Sequence, residues 1–579
     1  MYKVTADSST DDSNSFYNIS QDETKPFYKR IRKRDICTAF FSSLFTVILF
    51  SAIFFPIVFC SILPKIRQQY NNATNDTTDM SKGKVLEVSS PKANFSEPVD
   101  IPDYVRGTYL DASTWLTTDD FNTTFTNETV GGLSIMGLFS FYNDCTRANP
   151  GVPPLNSPFP YGSQPVRGVN LGGWLSMEPF ITPSFFEKYG NGTHQLTDET
   201  ELHQFLGQDV NNVIETHYNT FVTKDTFREI REAGLDHVRI PFPYWILFSS
   251  PNETHPFQIG WRYLLRGIEW ARENGLRVNL DLHAVPGNQN SWNHGGTLGV
   301  LNWLDGSELG QKNADLTLKL HEMLATFFAQ ERYKNIVTIY GIVNEPNMFV
   351  LENKKVIDWH KEAYKTITAQ GYSGYIVASD GFTGVGSIEK NYAPIRYPNM
   401  VIDIHRYTIF DSFMLRLSHI DTLHAVCDVW DKEFEDNAFL PSFVGEWSLA
   451  DTDCAKFLND VGEGTRWEGN FSAAVYPNGG CAVEGACSCD IPNADPLNYP
   501  PSYKTYLNMY ALSQMEVFEK TWGWFFWNWD TETSAQWSYK KSRNAGILPK
   551  LAYEKSADWN CSILQSSPLF KIENLEEYY

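Results

Sequence analysis

The chain has 579 residues, of which 42% are hydrophobic and 15% aromatic, so it is long enough for one large globular domain with additional segments. Its formal net charge of −22 at pH 7 argues against nucleic acid or an anionic membrane surface as the main partner. Neutral polymers remain compatible with this charge.

The N-terminal part contains one candidate membrane segment. Residues 1–35 are polar and are predicted to form a disordered cytoplasmic tail. The next run, Ile36–Leu63, is almost uncharged and is long enough to cross a bilayer as a signal-anchor helix. Five basic residues in Lys29–Arg34 precede it, which predicts a single-pass type II membrane protein. A cleaved signal peptide is the alternative, and the long polar leader disfavours it.

Two further segments precede the main domain. Residues 64–99 are rich in Asn, Thr, Asp and Ser, which predicts a glycosylated stalk, and residues 100–165 are interpreted as a segment that wraps the main domain. Glycosylation sequons follow the span at Asn72, Asn75, Asn94, Asn122, Asn127, Asn191, Asn252, Asn470 and Asn560. We therefore expect a plasma-membrane protein whose residues beyond the span lie on the extracellular side.

Strand-like and helix-like runs alternate from residue 166 to residue 579. The predicted strands are Gly168–Leu171, His237–Ile240, Arg277–Leu282, Ile336–Val343, Tyr375–Ser379, Met400–His405, Phe443–Glu446 and Trp524–Trp527. The predicted helices between them are Thr223–Ala233, Tyr263–Asn274, Leu316–Tyr333, Val356–Gln370, Leu423–Phe434 and Tyr503–Lys520. Eight strands are the number that closes a parallel barrel, so we predict an α/β fold with a (β/α)8 TIM barrel.

Polar and aromatic residues stand at the ends of the predicted strands, where a barrel of this type carries its site. Glu345 follows the fourth strand and Glu446 ends the seventh, which places two carboxylates at one end of the barrel. Retaining glycoside hydrolysis requires such a pair. The other strand ends contribute Glu178, Arg239, His283, Asn344, His405, Tyr407 and Trp527.

The chain resembles glycoside hydrolase family 5 over roughly residues 166–561, and most closely its fungal exo-β-1,3-glucanase branch, which includes membrane-anchored members. The motifs that carry the resemblance agree in order and spacing and are Arg167–Leu175, Val238–Pro241, Asn344–Pro346, Val444–Ser448 and Trp527–Trp529. The resemblance implies a glucan 1,3-β-glucosidase that releases glucose from the non-reducing end of β-1,3-glucan. It also implies a role in remodelling the fungal cell wall.

The chemistry assigns roles to the central residues. Glu345 is the predicted acid/base, protonated at rest in a pocket that disfavours its anion, and Glu446 is the predicted ionised nucleophile. Arg239 is expected to hold Glu446 charged and oriented by donating to its carboxylate. Asn344 is expected to hydrogen-bond the sugar 2-hydroxyl.

The outer residues are expected to bind the sugar rings. His283, His405 and Tyr407 are predicted to position sugar hydroxyls and the nucleophile. Trp527 is predicted to form an aromatic floor for the ring in the cleaved subsite. By resemblance, Trp292 and Phe410 form a facing aromatic pair at the pocket entrance. The acidic residue that the resemblance places after the aromatic is Asn293 in this chain, which leaves Glu178 alone to grip the terminal sugar.

The nine cysteines favour disulfides in an oxidising compartment. The resemblance implies the pairs Cys427–Cys561 and Cys454–Cys481, and an odd number of cysteines beyond the span predicts at least one thiol that is free or forms an intermolecular bond. A zinc site in Cys481–Cys489 is disfavoured because the cluster contains no histidine. Neither a metal nor a cofactor is expected.

The expected partners of the monomer are a β-glucan polysaccharide and, through one helix, the membrane. Two alternatives stay open. One is a β-glucosidase acting on another substrate, such as β-1,6-glucan or a glucosylated lipid. The other is a non-catalytic glucan-binding membrane protein.

Overall fold

The computed structural model describes residues 129–130, 133–134, 142–190, 195–248, 253–256, 259–471, 487–555 and 558–566. The predicted tail, membrane segment and stalk, residues 1–99, lie outside this set. No helix within the described ranges combines the length and the apolar character needed to span a bilayer.

Eight parallel strands close into a barrel, as predicted. In chain order they are β1 (Val166–Asn170), β2 (His237–Pro243), β3 (Arg277–Ala284), β4 (Val337–Gly341), β5 (Tyr375–Ser379), β6 (Met400–Arg406), β7 (Ser442–Trp447) and β8 (Gly523–Phe526). Each strand pairs with its neighbours in sequence, and β8 pairs with both β1 and β7. Strands β2 and β3 are buried along their whole length, because the barrel interior covers one face and helices cover the other.

Helices cover the outside of the barrel. They are α1 (Pro183–Tyr189), α2 (Glu199–Leu206), α3 (Val210–Phe221), α4 (Lys224–Glu232), α5 (Ile259–Asn274), α6 (Glu308–Phe328), α7 (Asn353–Ala369), α8 (Val385–Ile388), α9 (His419–His424), α10 (Asp431–Asp436), α11 (Pro501–Phe518), α12 (Tyr539–Asn544) and α13 (Cys561–Gln565). A π-helical turn, Ala425–Trp430, joins α9 to α10, so the single helix predicted over Leu423–Phe434 is this composite. Helices α1 to α3, α8, α12 and α13 were not predicted.

The turns after α4 and α5 explain two glycines of the sequence. Gly234 and Gly275 have φ values of 80° and 70°, the left-handed conformation that glycine adopts without strain after a helix. A Cβ atom on Gly275 would come within 2.3 Å of the Arg147 backbone, so this position also has no space for a side chain.

Residues before β1 close the N-terminal end of the barrel. The Tyr161 hydroxyl lies 2.9 Å from Nε2 of His237 on β2 and 2.7 Å from Oγ1 of Thr338 on β4. Arg277 at the start of β3 donates to the carbonyl oxygen of Ser157 at 2.9 Å. These contacts leave the opposite, carboxyl-terminal end of the barrel for the functional residues.

Two disulfides lie in the described part of the chain, and one differs from the predicted pairing. Cys427 is bonded to Cys561, as predicted. Cys454 is bonded to Cys489 rather than to Cys481. The Cα atoms of Cys454 and Cys489 are 5.3 Å apart, within the range that a disulfide spans, because the loop after β7 folds back on itself. Cys145 is a free, exposed thiol.

The Cys427–Cys561 bond is expected to contribute strongly to stability. It closes a loop of 134 residues, and removing such a constraint raises the entropy of the unfolded chain, at a cost of about 2–5 kcal/mol. A Cys427→Ala/Cys561→Ala variant should therefore show a lower thermal unfolding midpoint by calorimetry. Cys145→Ser is the matched control and should leave the midpoint unchanged.

Candidate active site

The two predicted glutamates meet at the carboxyl-terminal end of the barrel. Glu446 lies on β7, and Glu345 follows β4 by a short buried stretch. Glu345 has a φ of 44°, an uncommon left-handed conformation for a residue with a side chain, and such strain is concentrated at functional sites. One carboxylate oxygen of Glu345 lies within 4.8 Å of one of Glu446. Both side chains are almost fully buried.

Arg239 on β2 links the strand ends across the barrel. Its Nη1 donates to Glu446 Oε1 at 2.8 Å and to Asn170 Oδ1 at 2.9 Å. Its Nη2 donates to Asn344 Oδ1 at 2.8 Å and lies 3.2 Å from Asp281 Oδ1. Burial opposes the charge, but the surrounding carboxylates outweigh it and raise the pKa of Arg239, so the guanidinium is a permanent cation beside Glu446.

His405 and Tyr407 hold the two glutamates from β6 and the loop that follows it. His405 Nδ1 lies 2.5 Å from Glu345 Oε1 and 3.5 Å from Glu446 Oε2. The Tyr407 hydroxyl donates to Glu446 Oε2 at 3.0 Å. Both oxygens of Glu446 therefore have fixed donors, since Arg239 binds the other one. This arrangement fixes the orientation of the Glu446 carboxylate.

The electrostatics of Glu345 differ from the prediction. We expected its pocket to disfavour the anion. Burial does act to raise the pKa of Glu345, but the positive charges and hydrogen bonds of His405 and His294 hold it well below its usual range. For His294, burial acts downward, whereas the hydrogen bond and charge of Glu345 raise its pKa to about 9. His405 and His294 therefore favour the anion of Glu345, which is the opposite of the expected effect of the pocket.

Glu178 and the pair His283–Trp527 lie beside the glutamates. The His283 and Trp527 rings stack with centroids 5.5 Å apart, and His283 Nδ1 lies 2.7 Å from Asp281 Oδ2. Glu178 is buried, and its Oε1 accepts no hydrogen bond from the described residues. Burial raises the pKa of Glu178 to about 7, while His294 and His283 act to lower it and Glu446 and Glu345 act to raise it. An oxygen of this kind is available to a ligand hydroxyl.

The titration of Glu178 gives a stability prediction. Its pKa is about 7 in the folded protein against 4.5 for the free group, so the folded state loses stability as pH rises between these values, by about 1–3 kcal/mol. Glu178→Gln removes the ionisable group. We expect the variant to unfold at a higher temperature than the wild type at pH 8 and at a similar temperature at pH 4.5. An equal change at both pH values in a calorimetric series would contradict this.

The aromatic residues of the entrance are exposed. Trp292 is 38% exposed and Phe410 is 47% exposed. The Trp292 ring makes an edge contact with Phe382, with centroids 5.2 Å apart, whereas Phe410 contacts Tyr407 at 5.7 Å. A facing arrangement of Trp292 and Phe410 stays a prediction.

Several contacting residues were not identified from the sequence. Asn170, Asp281 and Asp403 surround Arg239, and all three lie within predicted strands whose alternation could have indicated inward-facing polar groups. His294 Nε2 lies 3.1 Å from Glu345 Oε2. It stands in a loop, where no periodicity indicates which way a side chain points.

Three residues of the site are close enough together to share a metal ion. Donor atoms of Glu345, His405 and Glu446 lie within 4.8 Å of one another. The Arg239 guanidinium, 2.8 Å from Glu446, would repel a divalent cation at this point. The arrangement therefore favours acid/base and nucleophilic chemistry by the carboxylates themselves.

Comparisons with known proteins agree with this geometry. The family profile described as Cellulase (glycosyl hydrolase family 5) matches residues 200–468. The chain is 52% identical to Glucan 1,3-beta-glucosidase 2 of Schizosaccharomyces pombe over 559 residues, which covers 95% of this chain and 96% of the relative. It is 48% identical to Probable glucan 1,3-beta-glucosidase D of Aspergillus niger, over 83% of this chain and 57% of that relative's length.

Solved structures share the fold. Rutinosidase from Aspergillus niger matches with a TM-score of 0.51 at 17% identity, over 68% of this chain and 99% of that one. At this level of identity the likeness concerns the barrel alone.

Proposed function

Because this chain belongs to glycoside hydrolase family 5, we propose that it is a glucan exo-1,3-β-glucosidase that removes glucose from the non-reducing end of β-1,3-glucan with retention of configuration. Its relatives named glucan 1,3-beta-glucosidases are about half identical to it. A role in remodelling cell-wall glucan follows from that activity.

The observation that carries the proposal is the short distance between the two carboxylates. Retaining enzymes hold theirs about 5–5.5 Å apart, whereas inverting enzymes need about 6.5–9.5 Å to admit a water molecule. The oxygens of Glu345 and Glu446 that lie within 4.8 Å of each other suit the retaining reaction.

In the proposed first step, Glu446 attacks the anomeric carbon while Glu345 passes a proton, supplied by its neighbour His294, to the departing glycosidic oxygen. The C–O bond to the glucan breaks, and a glucosyl ester forms on Glu446. In the second step, Glu345 takes a proton from water, and the water oxygen displaces Glu446 to release β-glucose. Because its Oδ1 accepts from Arg239, Asn344 presents its Nδ2, which has no partner among the described residues, as a donor to the 2-hydroxyl.

The experiment that tests the proposal follows the first product of the full-length protein on laminarin-type β-1,3-glucan by proton NMR. We expect glucose to appear first and as the β-anomer. Parallel incubations with β-1,6-glucan and glucosylceramide test the alternative substrates. Early release of oligosaccharides, or of α-glucose, would refute exo-action or retention, and turnover of another substrate alone would reassign the specificity.

We further propose that the chain is a monomeric type II protein of the plasma membrane, anchored by residues 36–63 with its barrel outside the cell. The basic run before that segment and the sequons after it support this orientation. The bonds Cys427–Cys561 and Cys454–Cys489 support an oxidising compartment. Retention of the protein in the membrane pellet at alkaline pH, with a mass decrease after glycosidase treatment, is the expected result. A protein released at alkaline pH would refute the anchor.

A further inference from the structure

The long loop after β7 brings a carboxylate to the candidate active site. This segment, the β7 loop, is described at residues 448–471 and 487–500. Asp460 on the β7 loop accepts a hydrogen bond at Oδ1 from Nδ2 of Asn293, at 3.1 Å. Asn293 belongs to the loop after β3, so Asp460 links two loops that rise from separate strands. Asp460 is only partly exposed.

Three consecutive residues of the loop after β3 relate the position of Asp460 to that of Glu345, the proposed acid/base. Trp292 is exposed, Asn293 binds Asp460, and His294 Nε2 lies 3.1 Å from Glu345 Oε2. Adjacent Cα atoms are about 3.8 Å apart, so the residue that binds Asp460 is one peptide unit from the residue that binds Glu345. The charge of His294 also acts on the Asp460 carboxyl, where burial raises the pKa and His294 lowers it. Asp460 is therefore close enough to His294 to feel its charge, and His294 in turn contacts Glu345.

The β7 loop is held firmly around Asp460. The buried Asp453 carboxylate accepts from Asn459 Nδ2 at 2.9 Å and from the Arg466 backbone at 2.6 Å. The disulfide Cys454–Cys489 fixes the same stretch. Asp460 itself has a φ of 80°, a left-handed conformation that costs a side-chain-bearing residue free energy and persists only where the surroundings impose it.

We propose that Asp460 is a specificity-determining residue that accepts hydrogen bonds from hydroxyl groups of the terminal glucosyl unit. Its Oδ2 makes no hydrogen bond within the described ranges, while Oδ1 is held by Asn293. A carboxylate can accept from neighbouring sugar hydroxyls with both oxygens. Asp460 thus supplies, from a different loop, the negative charge that Asn293 does not carry. The inference rests on the proposed β-glucosidase function.

The test compares Asp460→Asn with the wild type on an aryl β-glucoside and on its 3-, 4- and 6-deoxy analogues. Loss of a charged acceptor for a substrate hydroxyl is expected to lower kcat/KM on the parent glucoside by about 10- to 100-fold. On the analogue that lacks the bound hydroxyl, the two proteins should differ by less than about threefold, because nothing remains for the carboxylate to accept. Asp490→Asn, an exposed carboxylate on the β7 loop, is the matched control.

Two results would overturn the proposal. One is an Asp460→Asn enzyme within about twofold of the wild type on the parent glucoside, and the other is an equal loss on every analogue. The second would mean that Asp460 only supports the fold of the loop. If Asp460→Asn does not fold, Asn293→Ala serves instead, with a smaller loss that must show the same dependence on the analogue. A wild-type enzyme inactive on β-1,3-glucan but active on the aryl glucoside would refute the substrate, not the role of Asp460.

Discussion

Replacing Glu446 with alanine is expected to lower kcat by about 10,000-fold or more, on every substrate. Its carboxylate is held by Arg239 at one oxygen and by Tyr407 at the other, in position to attack the anomeric carbon. In the proposed mechanism Glu345 serves the leaving group, so Glu446 alone is assigned to form the ester. Steady-state kinetics on laminarin and on an aryl β-glucoside would measure the loss.

Azide gives this prediction a chemical control. In Glu446→Ala, a small anion can occupy the space of the lost carboxylate and attack once, which inverts the configuration and yields α-glucosyl azide. Glu435→Gln, an exposed glutamate on α10, is the matched variant and should keep wild-type activity. Substantial hydrolysis by Glu446→Ala without azide would mean that another residue is the nucleophile.

Replacing Glu345 with alanine is expected to have an effect that depends on the leaving group. For the glucan, whose departing alkoxide needs a proton, we expect a loss of about 100- to 10,000-fold in kcat/KM. For 2,4-dinitrophenyl β-glucoside the first step needs little proton donation, so the glucosyl ester should form and accumulate. Rapid-mixing kinetics should then show a burst of dinitrophenol followed by slow turnover.

The product formed with azide separates the two glutamates. In Glu345→Ala the anion attacks the ester on Glu446 from the opposite face, and two inversions yield β-glucosyl azide. An α-glucosyl product would exchange the roles assigned to Glu345 and Glu446. An equal loss of kcat/KM on the glucan and on the dinitrophenyl glucoside would show that Glu345 is not the acid/base.

Most of the barrel could be predicted from local patterns. The run Tyr375–Ser379 was predicted with the bounds that the structure has, because buried parallel strands are short, β-branched and flanked by turns. Helices α1 to α3 were among those that the sequence patterns did not predict. They precede β2 inside a long loop, where their amphipathic patterns are short and two of them follow each other almost directly.

The site was predictable where its residues lie on strands and unpredictable where they lie on loops. Strand β2 fixes the position of Arg239, so its contact with Glu446 follows from the order of the strands. His294 and Asp460 reach the pocket from loops whose paths depend on distant contacts. The pairing of Cys454 was wrong for the same reason, since the fold of one loop decides which cysteine lies near it.

Arg239 has a consequence for the architecture as well as for the chemistry. Its guanidinium contacts or approaches polar groups from β1, β3, β6 and β7 and from the segment after β4. At the carboxyl-terminal end of the barrel, these strands are thus linked by hydrogen bonds and ion pairs to the Arg239 guanidinium. A substitution of Arg239 is therefore expected to affect the packing of the barrel and the orientation of Glu446 together. Substitutions in the loops can change substrate preference without altering the barrel. Replacing the guanidinium, by contrast, would both disturb the barrel and remove the contact that orients Glu446.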